Sequence, residues 1–416
     1  MKRYIGIVMV VVTVLVGGCG SGGYSADPPT DVAVVAKDSR IVVSWTMVPG
    51  VEYWLFKAAG DGVTPFNCIS MPSCTTIMKA ASPTTLTGLP NGTTFSVSIN
   101  GRINGGAGGP GSTALSATPR MAGTTWTAGT VPTGSGDLRG VAYGAMFVAA
   151  GTAGSLYSST DGTSWTALTN PLPTANFNAV NYDANRGRYL SAGAGGAVIA
   201  MTPAVSGTWT QQTSNTASDL YAIANNAAGL TVAAGAGGTV IRSSDGTSWT
   251  VGSSGTANAL YGLAYGYDNT NNRSQFVAVG AAGTLLYSAD GTTWTAASCP
   301  TCTTTPDLRG VVYGAAAGVF VAVGTGGTVL TSTDGITWTP RTSGASVALN
   351  AVTFTPTRRF VAVGDGGVVY YSEYASLGTI WTQAVQPTPT TLYAVTTDNT
   401  YDYSAVGAAG FNLYSD

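Results

Sequence analysis

The sequence contains no histidine and has few charged residues of either sign. Its 416 residues include 17 Lys and Arg against 19 Asp and Glu, so the charged fraction is only 9% and the formal net charge is −2. Without histidine there is no Ser-His-Asp triad, no His-ligated zinc and no imidazole acid/base catalyst. Without a basic cluster there is no electrostatic footprint for a nucleic acid, so we expect no nucleic-acid partner.

Glycine is abundant instead, with 57 copies, and hydrophobic residues still make up 44% of the chain. This composition is too apolar for a disordered chain, and it lacks the Leu-, Lys- and Glu-rich periodicity of helical proteins. Short β-like runs bounded by Gly, Pro, Asn and Asp recur along the sequence. Because the length allows more than one domain, we predict an all-β protein in which a β-sandwich precedes a β-propeller.

The N-terminus has the pattern of an export signal. Residues 1–3 carry two positive charges, residues 5–16 are apolar, and Leu15-Val16-Gly17-Gly18-Cys19 places small residues before a cysteine. This stretch resembles the lipobox of bacterial lipoproteins. The resemblance implies a signal peptide over 1–18, lipidation of Cys19, and a flexible tether over 19–26. An ordinary cleaved signal with a chance cysteine is the alternative.

The lipoprotein resemblance also implies an address. The protein would be held in the bacterial cell envelope by its lipid anchor. Gly20 follows the cysteine, and the lack of Asp at this position implies the outer membrane, with either the periplasmic face or the cell surface as the final side.

Four further cysteines form two close pairs. Because disulfides persist in exported proteins, we predict Cys68–Cys74 and Cys299–Cys302 bridges. The sequence Cys299-Pro300-Thr301-Cys302 also has the spacing of a zinc site or a redox-active dithiol. No second pair and no His lies nearby in the sequence, so we expect no metal.

Residues 27–119 are predicted to form one small β-sandwich. Strand-like runs fall at 32–35, 41–45, 53–56, 95–99 and 114–117. Pro28-Pro29, Val43-Ser44-Trp45 and the segment 86–95 together resemble a fibronectin type III domain. That resemblance implies either a spacer that holds the next domain off the membrane or a module that binds a glycan or protein.

Regularly spaced tryptophans mark a sequence repeat that extends through residues 120–416. The spacings between consecutive members are 39, 44, 40, 45, 44 and 43 residues for Trp126, Trp165, Trp209, Trp249, Trp294, Trp338 and Trp381. A period near 42 that is built from short β runs is typical of a propeller with one four-stranded blade per repeat. We therefore predict seven blades.

Four repeats share the turn Ser-x-Asp-Gly-x-x-Trp, at 159–165, 243–249, 288–294 and 332–338. These turns resemble the Asp-box of sialidase-type and photosystem II assembly-factor-type propellers. The Asp is expected to accept backbone N–H bonds within its own turn while Gly takes a positive φ. This structural role is assigned to Asp161, Asp245, Asp290, Asp334 and Asp416.

The last repeat stops short of its tryptophan. The missing piece has the type of Gly123-Thr124-Thr125-Trp126. We predict that the strand after Trp126 completes the blade that ends at Asp416, so that N- and C-terminal strands close the propeller in one blade.

Seven inner strands begin with Leu or Phe, a variable residue, and Gly or Ala. The variable residue begins the strand nearest the axis, so these side chains should surround one mouth of the central channel. They are the ligand-binding candidates Arg139, Asn178, Tyr221, Tyr261, Arg309, Asn350 and Tyr393. Arg, Tyr and Asn suit a polar or anionic ligand. Alternatively, Arg139 and Arg309 only stabilise the rim by pairing with Asp137 and Asp307, or with an aspartate of a neighbouring blade.

These patterns predict a lipid-anchored binding or scaffold protein that recognises a protein or glycan, acts as a monomer, and needs no cofactor. No catalytic residue is assigned, because no motif marks an acid/base pair. The alternative is a glycoside hydrolase or lyase of the sialidase-like propeller type, with two carboxylates drawn from Asp219, Asp307 and Asp365.

Overall fold

The structure is a computed structural model that describes residues 23–202, 207–268, 271–355, 359–373, 378–385, 389–398 and 402–416. Regular structure in these ranges consists of β-strands and short 3-10 helices, as the composition predicts for an all-β chain. The chain divides between Arg120 and Met121 into two compact units. The signal segment and Cys19 lie outside the described residues. Within the described ranges, no helix is long and apolar enough to span a membrane.

The first unit contains two antiparallel sheets. Its strands are β1 (Tyr24–Ala26), β2 (Ala33–Lys37), β3 (Arg40–Ser44), β4 (Glu52–Ala59), β5 (Thr75–Ile77), β6 (Thr84–Thr87), β7 (Phe95–Ile103) and β8 (Leu115–Ala117). One sheet has the order β2-β3-β6, and the other has the order β1-β7-β4-β5 with β8 also paired to β7. Strands lie at all five predicted positions; β1, β5 and β6 were not predicted.

Alternating apolar residues explain how these two sheets pack. Ile41 and Val43 of β3 are fully buried, and they share one core with Leu55 of β4 and with Val97 and Ile99 of β7. Because successive strand residues point to opposite faces, this alternation turns one face of each sheet towards the other. A 3-10 helix (Cys68–Ser70) lies in the loop that follows β4.

The second unit contains seven four-stranded antiparallel sheets, which we number sheet 1 to sheet 7. Sheets 1 to 3 are β10 (Leu138–Tyr143), β11 (Phe147–Gly151), β12 (Leu156–Ser159), β13 (Thr166–Ala167); β14 (Phe177–Asp183), β15 (Arg188–Gly193), β16 (Val198–Met201), β17 (Trp209–Gln212); and β18 (Leu220–Asn225), β19 (Thr231–Gly235), β20 (Thr239–Ser243), β21 (Thr250–Ser253).

Sheets 4 to 6 are β22 (Leu260–Asp268), β23 (Arg273–Gly280), β24 (Leu285–Ser288), β25 (Thr295–Ala296); β26 (Leu308–Gly314), β27 (Val319–Gly324), β28 (Val329–Ser332), β29 (Thr339–Arg341); and β30 (Leu349–Phe354), β31 (Phe360–Gly364), β32 (Val369–Ser372), β33 (Thr382–Gln383). Six 3-10 helices follow the second strands of sheets 2 to 7, at Ala194–Gly196, Ala236–Gly238, Ala281–Gly283, Thr325–Gly327, Asp365–Gly367 and Ala408–Gly410.

Sheet 7 takes strands from both ends of the unit. It consists of β34 (Leu392–Thr397), β35 (Tyr403–Gly407), β36 (Asn412–Ser415) and β9 (Thr127–Ala128), in that order. The pairing of β36 with β9 is the one that the interrupted repeat predicted. Each inner strand lies beside the inner strand of the next sheet, and β34 lies beside β10. This arrangement of four-stranded sheets is that of a β-propeller.

Close packing near the axis explains the Gly or Ala at the third inner-strand position. A Cβ on Gly140 would come within 2.8 Å of the Val180 nitrogen, and one on Gly310 within 3.1 Å of the Ala351 Cα. Neighbouring inner strands therefore approach too closely for a larger side chain.

The repeating tryptophans seal the space between sheets. Trp249 is 3% exposed and packs in one cluster with Leu190 of sheet 2 and Ile241 of sheet 3. Trp338 packs likewise between Val277 of sheet 4 and Phe320 of sheet 5. Trp249 and Trp338 thus each bury a large apolar surface at a boundary between two sheets.

The four aspartate turns have the predicted hydrogen bonds. Asp161 Oδ1 accepts N–H bonds from Thr163 at 2.8 Å and from Ser164 at 3.1 Å, and Gly162 has φ +74°. Asp245, Asp290 and Asp334 accept the same two bonds in their own turns. In the turn of sheet 7, the residue directly before the glycine, Gly123, is Ala122, whereas in the other four turns it is the aspartate. The assignment of Asp416 to this role therefore stays a prediction.

Both predicted disulfides are present. Cys68–Cys74 closes the loop between β4 and β5 with a Cα–Cα distance of 5.4 Å. Cys299–Cys302, with a Cα–Cα distance of 5.3 Å, lies in the connection between sheets 4 and 5. Because both thiols of the second pair are joined to each other, they are not available as zinc ligands.

Candidate ligand site at the inner strands

A bulge at the start of each inner strand points its second side chain away from the sheet. In all seven sheets the register with the next strand shifts between the first and third residues of the inner strand. The first residue, always Leu or Phe, is fully buried. The second residue has no partner opposite it in the ladder, which leaves it free to point elsewhere.

These seven second residues line one cavity of about 420 Å³. The lining consists of Arg139, Asn178, Tyr221, Tyr261, Asp307, Arg309, Asn350 and Tyr393. All seven candidate residues from the sequence are therefore brought together, and Asp307 joins them. The guanidinium-bearing side chains stay accessible, with exposed fractions of 44% for Arg139 and 38% for Arg309.

The candidate side chains repeat around the axis as two triplets. Triplet A is Arg139, Asn178 and Tyr221, from sheets 1 to 3. Triplet B is Arg309, Asn350 and Tyr393, from sheets 5 to 7. Tyr261 of sheet 4 stands between them.

The two triplets share the same hydrogen bonds. Arg139 Nη1 donates to Asn178 Oδ1 at 3.3 Å, and Arg309 Nη1 donates to Asn350 Oδ1 at 2.5 Å. Each asparagine then donates through Nδ2 to the carbonyl of the leucine that precedes the tyrosine, at 2.9 Å for Leu220 and 2.8 Å for Leu392. Each asparagine is thus held in one orientation and fixes its arginine.

The tyrosines add aromatic surface and hydroxyl groups. The rings of Tyr221 and Tyr261 lie 5.5 Å apart at an interplanar angle of 48°. Burial raises the pKa of Tyr221, and the nearby Asp219 carboxylate raises it further. Burial and the Asp137 carboxylate likewise raise the pKa of Tyr393. Both phenols therefore remain protonated hydrogen-bond donors at neutral pH.

Both arginines lie beside an aspartate, one near in sequence and one of the neighbouring sheet, as the rim alternative allows. Arg139 Nη2 lies 3.9 Å from Asp137 Oδ2. The carboxylate that pairs with Arg309 Nη1 at 3.9 Å belongs to Asp365 rather than to Asp307. At this distance and exposure, each pair contributes no more than about 1 kcal/mol. The arginines are therefore accessible to a competing anion.

The aspartates that precede the inner strands also hold neighbouring sheets together. Asp219 Oδ1 accepts the backbone N–H of Gly195 at 2.8 Å, and Asp307 Oδ1 accepts that of Ala282 at 2.8 Å. Asp137 Oδ1 accepts the N–H of Ala409 at 3.0 Å. Each aspartate stands directly before an inner strand and binds the turn of the adjacent sheet.

These contacts give the carboxylates of the alternative enzyme hypothesis a structural role. Asp219 and Asp307 are caps of separate turns, and Asp365 accepts a hydrogen bond from Asn350 Nδ2 at 2.9 Å. No group of three or more His, Cys, Asp or Glu residues suited to a metal occurs in the described ranges. The arrangement suits binding better than paired acid/base catalysis.

A second cavity, of about 610 Å³, lies beside the Cys299–Cys302 disulfide. Its lining includes Leu285, Leu308 and Leu330 together with Thr303 and Arg341. It is larger than the cavity at the inner strands, but Arg341 is the one charged residue in its lining and no aromatic residue lines it. The inner-strand cavity therefore offers the richer set of recognition groups.

Comparison with known proteins supports the propeller. Residues 269–406 match a family described as the DUF6242 beta propeller domain. No curated protein matches the chain.

Similar solved structures include YCF48 bound to D1 peptide, at 18% identity and a TM-score of 0.56, with 70% of this chain and 94% of that chain covered. The WD40 beta propeller domain of Doa1 is similar at 12% identity and a TM-score of 0.57, with 70% and 97% covered. YCF48 from Cyanidioschyzon merolae is similar at 15% identity and a TM-score of 0.54, with 70% and 98% covered. These likenesses establish a β-propeller fold.

Proposed function

We propose that this chain is a binding or scaffold protein that holds a peptide segment of a protein partner in the inner-strand cavity. The observation that carries this proposal is the convergence of two arginines, two asparagines and three tyrosines on one cavity. Such a mixture of charged, amide and aromatic groups is suited to orienting a polar chain. The similar YCF48 structure with a bound peptide supports the choice of a peptide ligand.

The proposal includes a closed, seven-bladed propeller carried on a fibronectin type III domain. Contact between the first and last inner strands, β10 and β34, supports closure, as does the pairing of β36 with β9. The sheet order β2-β3-β6 facing the larger sheet across a common core supports the sandwich assignment.

An N-terminal lipid is proposed to anchor this monomeric protein in the bacterial outer membrane, on its periplasmic or outer face. The sequence Leu15-Val16-Gly17-Gly18-Cys19 supports this address. Metabolic labelling with a radioactive fatty acid tests it. Label in the wild-type protein that is absent from Cys19→Ser supports the anchor, and an unlabelled wild-type protein would refute it.

Peptide binding is tested by selecting a random peptide display library on the full chain. We expect enriched peptides that lose binding when both Tyr221 and Tyr261 are changed to Ala, because these rings form the aromatic wall of the cavity. Tyr287→Ala, on β24 outside this cavity, is the matched control.

A glycan array tests the other class of ligand that the sequence allows. Binding to a glycan, with no peptide enriched, would move the proposal to carbohydrate recognition. Enriched peptides that bind the double tyrosine variant unchanged would place binding elsewhere on the protein and contradict the proposed site.

A further inference from the structure

We infer that the inner-strand cavity is a two-armed site for a peptide that carries two carboxylates, one held by each Arg–Asn–Tyr triplet. This inference rests on the proposed function and specifies its ligand. It depends on the repetition of the triplets, on the excess of hydrogen-bond donors in the cavity, and on the positions of the two arginines.

The two triplets repeat the same hydrogen bonds. Both arginines donate to the next sheet's asparagine, and both asparagines donate to the carbonyl before the next tyrosine. The same set of donors is therefore presented on two sides of the cavity. The repetition indicates that one kind of chemical group is recognised twice.

The side chains that line the cavity have more hydrogen-bond donors than acceptors. A guanidinium has five N–H donors. Among the residues that the structure describes, Arg139 and Arg309 each donate one hydrogen bond to a neighbouring side chain, and each also lies 3.9 Å from a carboxylate, Asp137 and Asp365 respectively. Within the described part of the chain, the hydroxyls of Tyr221, Tyr261 and Tyr393 make no hydrogen bond to another residue. The cavity lining contains a single carboxylate, Asp307, one of whose oxygens already accepts the Ala282 N–H.

A donor-rich cavity needs an acceptor-rich ligand. A neutral sugar offers donors and acceptors together, whereas a carboxylate offers only acceptors and fits the planar fork of arginine with two parallel bonds. A carboxylate beside each fixed guanidinium is therefore the chemistry that uses these donors best.

The placement of the arginines requires two carboxylates. Arg139 belongs to sheet 1 and Arg309 to sheet 5, so three sheets lie between them in one direction around the axis and two in the other. A single carboxylate that binds one guanidinium in two parallel bonds points both of its oxygens towards that guanidinium and not towards the one across the cavity.

One difference between triplet A and triplet B lies in the turn beside the asparagine. Asp365 lies 3.9 Å from Arg309 and accepts a hydrogen bond from Asn350, whereas the corresponding turn residue of sheet 2 is Ala194. In triplet B this carboxylate opposes an incoming carboxylate at Arg309. Asp365→Asn removes this charge and keeps an oxygen that accepts the Asn350 bond, so this variant should bind a doubly acidic peptide more tightly.

The probes are end-blocked Gly-Ser peptides with two glutamates at increasing separation, with one glutamate, or with two glutamines. Titration calorimetry with the full chain at low salt measures their affinities. We expect one preferred separation at which the two-glutamate peptide binds about tenfold or more tightly than the one-glutamate peptide. The two-glutamine peptide should bind most weakly.

Variants assign each arm. Arg139→Gln and Arg309→Gln should each reduce the affinity of the two-glutamate peptide to that of the one-glutamate peptide, and the double variant should abolish binding. Asn178→Ala and Asn350→Ala should weaken it less, because they release the arginine without removing it. Arg242→Gln, on β20 outside the cavity, is the control, and unchanged melting temperatures verify folding.

The outcomes separate this inference from the proposed function. Library peptides that need Tyr221 and Tyr261 but bind equally well with glutamine in place of glutamate would leave the proposed function standing and overturn the acidic ligand. Complete dependence on one arginine with none on the other would overturn the two-armed site. If the library selection enriched no peptide at all, the proposed function itself would be rejected.

Discussion

Ser415 Oγ accepts a hydrogen bond from the backbone N–H of Gly123 at 2.8 Å, although the two residues are 292 positions apart. Ser415 Oγ also donates to the Thr125 carbonyl at 2.6 Å. Within sheet 1, Ser159 Oγ accepts the N–H of Gly162 at 2.9 Å in the same way. The turn of sheet 7 is thus assembled from both ends of the propeller, with the serine from one end and the glycine and tryptophan from the other.

Removal of the last twelve residues should therefore destabilise the whole propeller and not only sheet 7. The deletion, which starts at Ala405, removes β36 and three of the five residues of β35, exposes an edge of β34 and leaves β9 without its partner. A calorimetric scan should show a lower melting temperature. A melting temperature equal to that of the wild type would contradict the joining of the chain ends.

Ser415→Ala removes one oxygen atom and so tests the same connection between the two ends of the propeller. Gly123 N–H is buried and would lose its acceptor, so we expect a loss of about 1–3 kcal/mol in the free energy of unfolding. Ser164→Ala, which changes an exposed side chain, should change it by less than about 0.5 kcal/mol. Urea unfolding curves measure both.

Arg359 holds the start of the propeller against sheet 6. Its side chain is 5% exposed, donates to the Ala122 carbonyl, and pairs with Glu373 at 2.9 Å. Arg359→Ala should lower the free energy of unfolding by about 2–4 kcal/mol, because a buried carbonyl loses a charged donor. Arg242→Ala, on β20, serves as the comparison, and an equal loss in both variants would show that Arg359 makes no special contribution.

Acid should weaken the aspartate turns. Burial tends to raise the pKa of Asp161, but N–H bonds from Thr163 and Ser164 and the Ser159 hydroxyl outweigh it and lower this pKa from 3.8 to about 2. A carboxylate with a lowered pKa in the folded state stabilises the protein above its unfolded pKa, and this stability is lost as the pH falls from about 4 towards about 2.

The variant Asp161→Asn should therefore flatten the acid dependence of stability. As the pH falls from about 4 towards about 2, we expect the melting temperature of the wild type to fall further than that of the variant. Ser164→Ala, which keeps the Asp161 carboxylate and its backbone donors, should retain the wild-type slope. Parallel slopes for Asp161→Asn and the wild type would show that this carboxylate is not stabilised by its turn.

Repetition explains how much could be read from the sequence. Because each sheet buries its own Leu or Phe and bulges at the next residue, a single rule placed Arg139, Tyr221 and the other five side chains in one cavity. The hydrogen bonds within the triplets could not be predicted, because they depend on the distance between neighbouring sheets. The rim alternative included a pairing with an aspartate of a neighbouring blade, but it did not identify Asp365 as the partner of Arg309, since Asp365 lies in a turn far from β26 in sequence.

The caps between sheets were also missed, although the sequence contains a signal for them. Asn176 stands directly before β14, and its Oδ1 accepts the N–H of Ala153, which has φ +52° in the turn of sheet 1. Ala282 and Ala409 have the same left-handed conformation and are capped by aspartates. Two inner strands are preceded by alanine, at Ala259 and Ala348, which cannot cap a turn through its side chain. In the turns that these two strands face, the left-handed residue is glycine, Gly237 and Gly326.

This correlation predicts a rescue. Asn176→Ala removes the cap and should cost about 1 kcal/mol of unfolding free energy, because Ala153 would keep a strained positive φ without its hydrogen bond. Adding Ala153→Gly should recover about 0.5–1 kcal/mol, since glycine adopts this φ without strain. The double variant would then have the combination that the chain already uses at Ala259 and Gly237. Chemical denaturation of both single variants and the double variant measures the coupling, and strictly additive losses would show that the cap does not support the left-handed alanine.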